Sequence, residues 1–466
     1  MNDPHSIHRF YGRLRPLLRR LGVLNIARSL FSANLRERVA VRMGLGGFDQ
    51  TAVLTGADDV QKTLSKQRLM RAAEVTPDFR VDGLNFIGDL RADLGIGESA
   101  RLIVDAVNRV RLPMRYCEVP LRFQSRTTPL PPGLSEDGNY AFSLFHMNAP
   151  EFYEALSLVP PELVRSKYII SFWYWEVPKF PYRWHRMFNY LDELWVASRY
   201  VQGILSQVSP VPVIHMPLPI RVETSTATRR DLGLPDERFI FLFSFNPGSA
   251  VARKNPYGFI EAFRRAFGCP TSGPLLVLKV HHLDTHYGVG LEAPLRAAVE
   301  SVNGVLITDN YTRLQMNNLL NLSDCYVSLH RSEGFGLGMA EAMALGKPVI
   351  ATAYSANMDY MTPSNSYGVR YTLREITEAD HLAQPFFRPL YEPGQVWAEP
   401  DLDHAAALMR AVYENPTAAA QIGDQARRDI HERFSESATG SLIQARLQTI
   451  ADYLTGAVET EGYINR

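Results

Sequence analysis

Cysteine is in short supply. Cys117, Cys269 and Cys325 are all there are in 466 residues, too few and too scattered for a disulfide framework or a four-ligand zinc site. Three lone thiols suit a reducing compartment. Charge of one sign is missing too: 49 basic side chains balance 49 acidic ones, which argues against a chain devoted to nucleic acid. No apolar stretch approaches the roughly 18 residues of a membrane span. The first residues lack the basic, apolar, small-residue order of a secretory leader. Together these absences predict a soluble cytoplasmic protein. What is present is ordinary globular composition, 46% apolar and 21% charged, which supports sizeable cores. At roughly 100–200 residues per domain, the length predicts two or three domains.

Residues 1–80 stand apart. From Met1 to Arg42 nine arginines face two acids, a surplus of seven positive charges. Leu14, Leu17, Leu18, Leu21 and Leu24 repeat at the spacing of one helical face, which predicts a basic helical extension. Such a helix can lie on an anionic membrane or simply cover its own protein, and Pro16 and Gly22 weaken it.

From residue 81 the pattern changes to short β-rich runs alternating with helical segments. LNFIG (84–88), RYCEVPL (115–121), YAFSLFHM (140–147), KYIISFWYW (167–175), ELWVAS (193–198) and PVIHMPLPI (212–220) read as strands, with a helix at 98–110. A polar stretch, 224–235, reads as a linker. A second series follows: FIFLFSF (239–245), PLLVLKV (274–280), GVLITD (304–309), DCYVSLH (324–330) and KPVIAT (347–352). Helices are expected between them at 255–267, 313–320 and 338–345, and in the tail at 402–413 and 440–454. Apolar strands alternating with helices predict an α/β protein. Its parts are two doubly wound parallel-sheet, Rossmann-like domains, 81–222 and 223–439, with a cleft at the carboxyl ends of their strands.

Chemistry concentrates in SLHRSEGFGLGMAEAMALGKPVIAT (328–352). A strand ends at His330, a loop carries Gly334, Gly336 and Gly338, and a helix begins there, where free N–H groups form an anion site. Glu333 and Glu341, eight residues apart, are ill placed for phosphate itself but well placed for hydroxyls on either side of it, a sugar and a ribose. A plain helix entry with two solvated glutamates is the bland alternative. SFNPGSAVARKNPYGFIEAFRRAF (244–267) repeats the strand, loop and helix order, with Arg253 and Lys254 positioned to reinforce diphosphate binding.

EGFGLGMAEAMALGKPVIA strongly resembles the signature of the retaining GT-B glycosyltransferases of the family-four type (glycosyl transferases group 1). ARKNPYGFIEAFRRAF is similar to that family's basic diphosphate motif, RADLGIGESARL (91–102) to its glycine loop, and LFHMNAPE (144–151) to its strand-end histidine. WYWEVPKFP, DELWVASRYV and WAEPDLDHAAALM resemble a subset of bacterial polysaccharide mannosyl- and related transferases, so the likeness spans about 81–456. The resemblance implies a GT-B fold in which helix 440–456 returns to the first, acceptor-side domain. It implies retaining hexosyl transfer from a nucleotide-diphosphate sugar to a glycan or lipid-linked acceptor, without a metal or other cofactor, in surface polysaccharide synthesis.

Site roles follow from the same resemblance. Glu333 would contact the donor sugar, with the backbone of Gly334, Phe335, Gly336 and Leu337 holding sugar and phosphate. Glu341 would bind ribose, and Lys254 with Arg253 the diphosphate. Gly95 and Gly97 would approach the phosphate from the first domain, and His146 would sit over the sugar. The family's usual arginine, about six residues before the lysine, falls here near Gly248; either Arg253 replaces it or the phosphate is held differently.

Other readings compete. Gly95, Gly97 and Ala100 match the dinucleotide fingerprint, and Glu118 lies 21 residues past Gly97, where a ribose-binding acid of an NAD-dependent oxidoreductase belongs. Six residues, Asp89–Leu94, separate Gly88 from Gly95, however, and break the tight turn that fingerprint needs. A sugar-nucleotide epimerase of the same fold and a non-catalytic scaffold are further alternatives. His281, His282, Asp284 and His286 match no standard metal spacing.

Overall fold

A computed structural model describes residues 80–93, 95–121 and 125–455. The arginine-rich segment and its expected helix lie outside the described residues.

The apolar runs become strands with both faces covered. In the first sheet β1 (Arg80–Gly88), β2 (Met114–Glu118), β3 (Tyr140–His146), β4 (Tyr168–Trp173), β5 (Glu193–Val196) and β6 (Val213–His215) pair in parallel, in the order β2-β1-β3-β4-β5-β6. The second sheet holds β7 (Phe239–Phe245), β8 (Pro274–Val280), β9 (Val305–Ile307), β10 (Cys325–Ser328), β11 (Val349–Thr352) and β12 (Tyr367–Val369). These are also parallel, in the order β12-β11-β10-β7-β8-β9. In both sheets the strand order reverses beside the first strand, so a crevice opens at the carboxyl ends of the strands flanking it. The strands at 84–88 and 324–330 thus belong to separate sheets.

Helices cover the sheets: α1 (Gly95–Arg109), α2 (Ala149–Leu158) and α3 (Arg199–Leu205) in the first half, α4 (Val251–Lys254), α5 (Pro256–Phe267), α6 (Glu292–Glu300), α7 (Arg313–Leu322) and α8 (Leu337–Ala344) in the second. The tail carries α9 (Leu402–Glu414), α10 (Pro416–Arg433) and α11 (Glu436–Leu454). Their starts obey capping chemistry: Thr312 and Gln315 form a capping box on α7, and Asp401 accepts the His404 N–H of α9. Helix α11 packs on α1 so closely that a Cβ at Gly440 would lie 2.3 Å from the Ala106 carbonyl oxygen. Arg446 of α11 also pairs with the buried Glu193 of β5, Nε to Oε1 at 2.9 Å.

The structure adds elements that the sequence pattern hides. Helix α10 buries three small residues, Ala419, Gly423 and Ala426, and only one large one, Ile430, instead of a stripe of large apolar residues. An antiparallel hairpin, β13 (Tyr371–Glu375) with β14 (Val396–Pro400), is exposed along β13 and so lacks the unbroken apolar run of the other strands.

Candidate active site

The two residues flanking α4 have positive φ, Ala250 at 64° and Asn255 at 53°, an uncommon pair of non-glycine conformations. They turn Arg253 and Lys254 towards the loop after β10. Asn255 secures the turn, donating from Nδ2 to Leu329 O at 2.9 Å and accepting from Gly258 N.

The result is a buried charge cluster on Glu333. Lys254 Nζ lies 2.5 Å from Oε1 and Arg253 Nη1 3.2 Å from Oε2. Burial pushes the Glu333 carboxyl up, but the two cations outweigh it and hold the pKa at about 2. Arg253 has further partners: its Nη1 donates to Ser332 O at 2.7 Å, and Nη2 lies 3.8 Å from Glu176 of the first domain. With a side chain only 4% exposed, Arg253 is committed to protein groups, whereas Lys254 has more room at 18%.

The glycine loop is tied down through its carbonyls. Tyr360 donates to Phe335 O at 2.9 Å and Gly336 O at 2.8 Å, and Ser198 of the first domain donates to Gly334 O at 3.1 Å. The Ser355 hydroxyl accepts the Glu333 N–H at 2.8 Å. With its carbonyls engaged, the loop presents N–H groups at the start of α8, the polarity an anion needs. Gly336 must be glycine, since its φ is 89° and a Cβ would meet Met339 Cε at 2.3 Å.

One turn into α8, buried Glu341 is paired with Arg313, the first residue of α7, whose Nε also lies 3.0 Å from Glu98 of α1. Burial raises the Glu341 pKa, and Arg313 only partly opposes it. The pair therefore links the helix carrying the Gly95–Gly97 sequence to the helix carrying Glu341. Gly95 has open space where a side chain would be. Gly97 does not: a Cβ would sit 2.1 Å from the Ala92 carbonyl oxygen, so this glycine is required by the chain's own packing.

His146 ends β3, buried, its ring 5.1 Å from Phe172 and its Nε2 3.3 Å from the Ser99 hydroxyl. Burial lowers its pKa to about 3, so the imidazole is neutral. Six residues separate β1 from α1, and Glu118 is paired with Arg126 and with Arg91 at 3.4 Å. The tight dinucleotide turn is absent here. Among the described residues no three His, Cys, Asp or Glu side chains converge as a metal site. His286 packs on Tyr287, and His281 donates its backbone N–H to Phe245 O.

Sequence reasoning missed Glu98, Arg313 and Glu176. Their partners are distant in the chain, and no local spacing announces them. WYWEVP draws the eye to its aromatics, yet Glu176 accepts the Tyr391 hydroxyl at 3.2 Å across 215 positions, and its backbone carbonyl accepts from Ser332.

Residues 295–373, running from α6 to β13, match the family model of glycosyl transferases group 1. No curated protein matches the chain. Among solved structures, sucrose-phosphate synthase from Thermosynechococcus elongatus aligns with a TM-score of 0.57 at 13% identity, covering 81% of this chain and 100% of that one. HepE of Anabaena in complex with UDP gives 0.54 at 13% identity over 79% of this chain and 100% of its own. A glycosyltransferase from Rickettsia africae gives 0.53 at 11% identity over 81% and 100%. The shared architecture is GT-B.

Proposed function

We propose that this chain, with the group 1 glycosyltransferase segment and the GT-B fold, moves a hexosyl unit from a nucleoside-diphosphate sugar to a glycan or lipid-linked acceptor, with retention of anomeric configuration. The observation that carries the reading is the Lys254–Glu333–Arg253 cluster at the entrance to the Gly334–Leu337 loop, with Glu341 one turn beyond. A hydroxyl-seeking carboxylate before the helix start, a cation beside it and a second carboxylate one turn into the helix match the sugar, diphosphate and ribose of a nucleotide sugar.

In this reading Lys254 keeps one donor on Glu333 and turns the others to the diphosphate, while the N–H groups of α8 share the charge that builds on the β-phosphate. Arg253 acts through Glu333, holding it where it accepts from donor-sugar hydroxyls. Glu341 exchanges Arg313 for the ribose. The acceptor oxygen bonds to the anomeric carbon on the face from which the diphosphate leaves. The carbon–oxygen bond to the β-phosphate breaks, and the acceptor's proton passes to a phosphate oxygen. Glu333 positions and does not attack.

HepE was solved with UDP and with UDP-glucose, which makes UDP-glucose the first donor to try. Nucleoside diphosphate release from a panel of UDP- and GDP-sugars tests the activity, and NMR of the product's anomeric proton tests retention. Absence of release across the panel sinks the activity, and an inverted product sinks the stereochemistry.

Surface polysaccharide synthesis with a lipid-linked acceptor is the setting that fits the nine arginines of 1–42. On an anionic leaflet each basic residue adds about 1 kcal/mol. Deleting 1–42 is expected to abolish salt-sensitive sedimentation with phosphatidylglycerol vesicles while UDP affinity is retained. Equal sedimentation of the truncated protein rules out the anchor.

A further inference from the structure

The cations of the donor site stand on very little helix. Helix α4 is a single turn, closed by Lys254 N to Ala250 O at 3.0 Å and Asn255 N to Val251 O at 2.8 Å. One turn does not hold itself together, because starting a helix fixes many dihedrals for few hydrogen bonds. The turn also follows Ala250, whose φ of 64° is costly for a residue with a Cβ and persists only where neighbours enforce it. Ala250 occupies the capping position, yet has no side-chain oxygen to accept a first-turn N–H. Asn255 secures the far end of the turn. The near end is held by a residue 133 positions away.

That residue is Gln384, only 4% exposed, in the segment between β13 and β14. Its Oε1 accepts the Val251 N–H at 2.8 Å, and its Nε2 donates to Pro247 O at 3.0 Å and to Tyr287 O at 2.8 Å. One N–H and two carbonyls demand an acceptor and two donors on the same group, which a primary amide supplies and a carboxylate does not. Gln384 is itself pinned. Its N–H donates to His381 O and its carbonyl accepts from Phe387 N, both at 3.1 Å, and the Phe387 ring stacks on Tyr287 with centroids 5.9 Å apart. Gln384 lies outside residues 295–373, which match the family model.

We propose that Gln384 is a positioning residue of the donor site. It acts through α4, capping the turn that carries Arg253 and Lys254, and so keeps both cations in place on Glu333 before the diphosphate arrives. The assignment rests on the transfer reading and adds to it the residue that fixes the diphosphate-binding turn in advance.

The test compares nucleotide with nucleoside on the full chain. Gln384→Met keeps the length of the side chain and loses its amide bonds. Its UDP affinity by calorimetry should fall roughly three- to ten-fold, while uridine, which has no phosphate, should bind as it does to the parent in saturation-transfer NMR. GDP and guanosine replace them if the parent prefers GDP. Gln395→Met, at a buried glutamine of the same segment that accepts the Lys179 N–H at 3.3 Å, controls for disturbed packing and should bind UDP as the parent does. Hydrogen exchange gives a second readout: peptides covering 247–254 should exchange faster in Gln384→Met, with 313–322 unchanged. Where the methionine variant does not fold, Gln384→Glu, which keeps the shape but not both donors, is measured in the same way. Parent-like UDP affinity in the folded Gln384 variant, an equal loss of UDP and uridine, or an equal loss of UDP in Gln395→Met overturns the assignment. If the parent binds neither UDP nor GDP, the failure lies with the transfer reading, and unchanged exchange at 247–254 separately overturns the cap on α4.

Discussion

The two sides of the crevice are built on opposite principles. On the second domain, Glu333 is fully ionised and saturated: two cations, a serine hydroxyl on its N–H, and a loop whose carbonyls are occupied. On the first domain, His146 is neutral, Glu151 is pushed towards neutrality, and both carry a polar atom without a partner. A site that must stabilise developing charge benefits from dipoles and charges fixed in advance, because none has to reorganise during reaction. The buried groups of the first domain keep hydrogen-bonding capacity unspent instead. The contrast teaches that burial alone does not define a role. What separates the two regions is whether the buried polar groups have already found each other.

The most severe way to break the saturated side is Arg253→Met. It leaves Glu333 with Lys254 alone and removes donors from Ser332 O and Glu176. Removing one partner of a buried ion pair costs about 3–5 kcal/mol. Urea unfolding should show a loss of this size, and a loss under 1 kcal/mol would mean that the cluster is solvated. Lys254→Ala acts on donor binding: losing one charge-assisted contact, worth about 1.5–3 kcal/mol, should weaken UDP affinity roughly ten- to a hundred-fold. Unchanged affinity removes Lys254 from the diphosphate site.

The unsatisfied side can be separated by pH. Glu151 has a folded pKa raised from 4.5 to about 7, so its contribution is fully present below pH 4.5 and is lost as pH rises through 7. The shift corresponds to at most about 3 kcal/mol, less for a side chain that is only partly enclosed. His146 has the opposite slope, since its depressed pKa costs stability as pH falls below 6.5 towards 3. Comparing parent with Glu151→Gln cancels the histidine. The variant should gain relative stability between pH 5 and 8 in thermal unfolding scans, and a constant difference across that range would show that Glu151 is solvated.

How far all this was legible in the sequence differs between the same regions. Strands such as FIFLFSF and PLLVLKV could be read directly, because a parallel strand buried on both faces must be apolar throughout. Lys254 and Glu333 were found through local motifs, each a strand, a loop and a helix start. That they meet is a tertiary fact, 79 residues apart, which no spacing encodes. Gly97 shows another case, where the Ala92 backbone alone already demands a motif glycine. Glu151 sits inside a recognised stretch, LFHMNAPE, but the burial that raises its pKa is a tertiary fact, which only coordinates reveal. Helix α10 escaped because its buried face carries only one large apolar residue, Ile430, beside two alanines and a glycine, which hydropathy periodicity barely registers.

The smallest effect concerns the link between the two sides. Arg313 pairs with Glu341 on its own domain and reaches Glu98 on the other, and its side chain is 34% exposed. Glu98→Gln removes the cross-crevice partner while leaving Arg313 on Glu341. A partly exposed ion pair is worth about 0–1 kcal/mol, so UDP affinity should change by no more than about fivefold. The direction is informative. If the bond to Glu98 helps keep Arg313 in the ribose position, its loss lets Arg313 leave Glu341 more easily, and UDP should bind slightly tighter. If Glu98 instead draws Arg313 away from Glu341, its loss strengthens the remaining pair, and UDP should bind slightly weaker. Because Glu98 and Glu341 compete for one cation, the second outcome is expected. A tenfold loss measured by calorimetry would make Glu98 part of the donor site itself, and the separation between a charged wall and an unsatisfied one would have to be redrawn at α1.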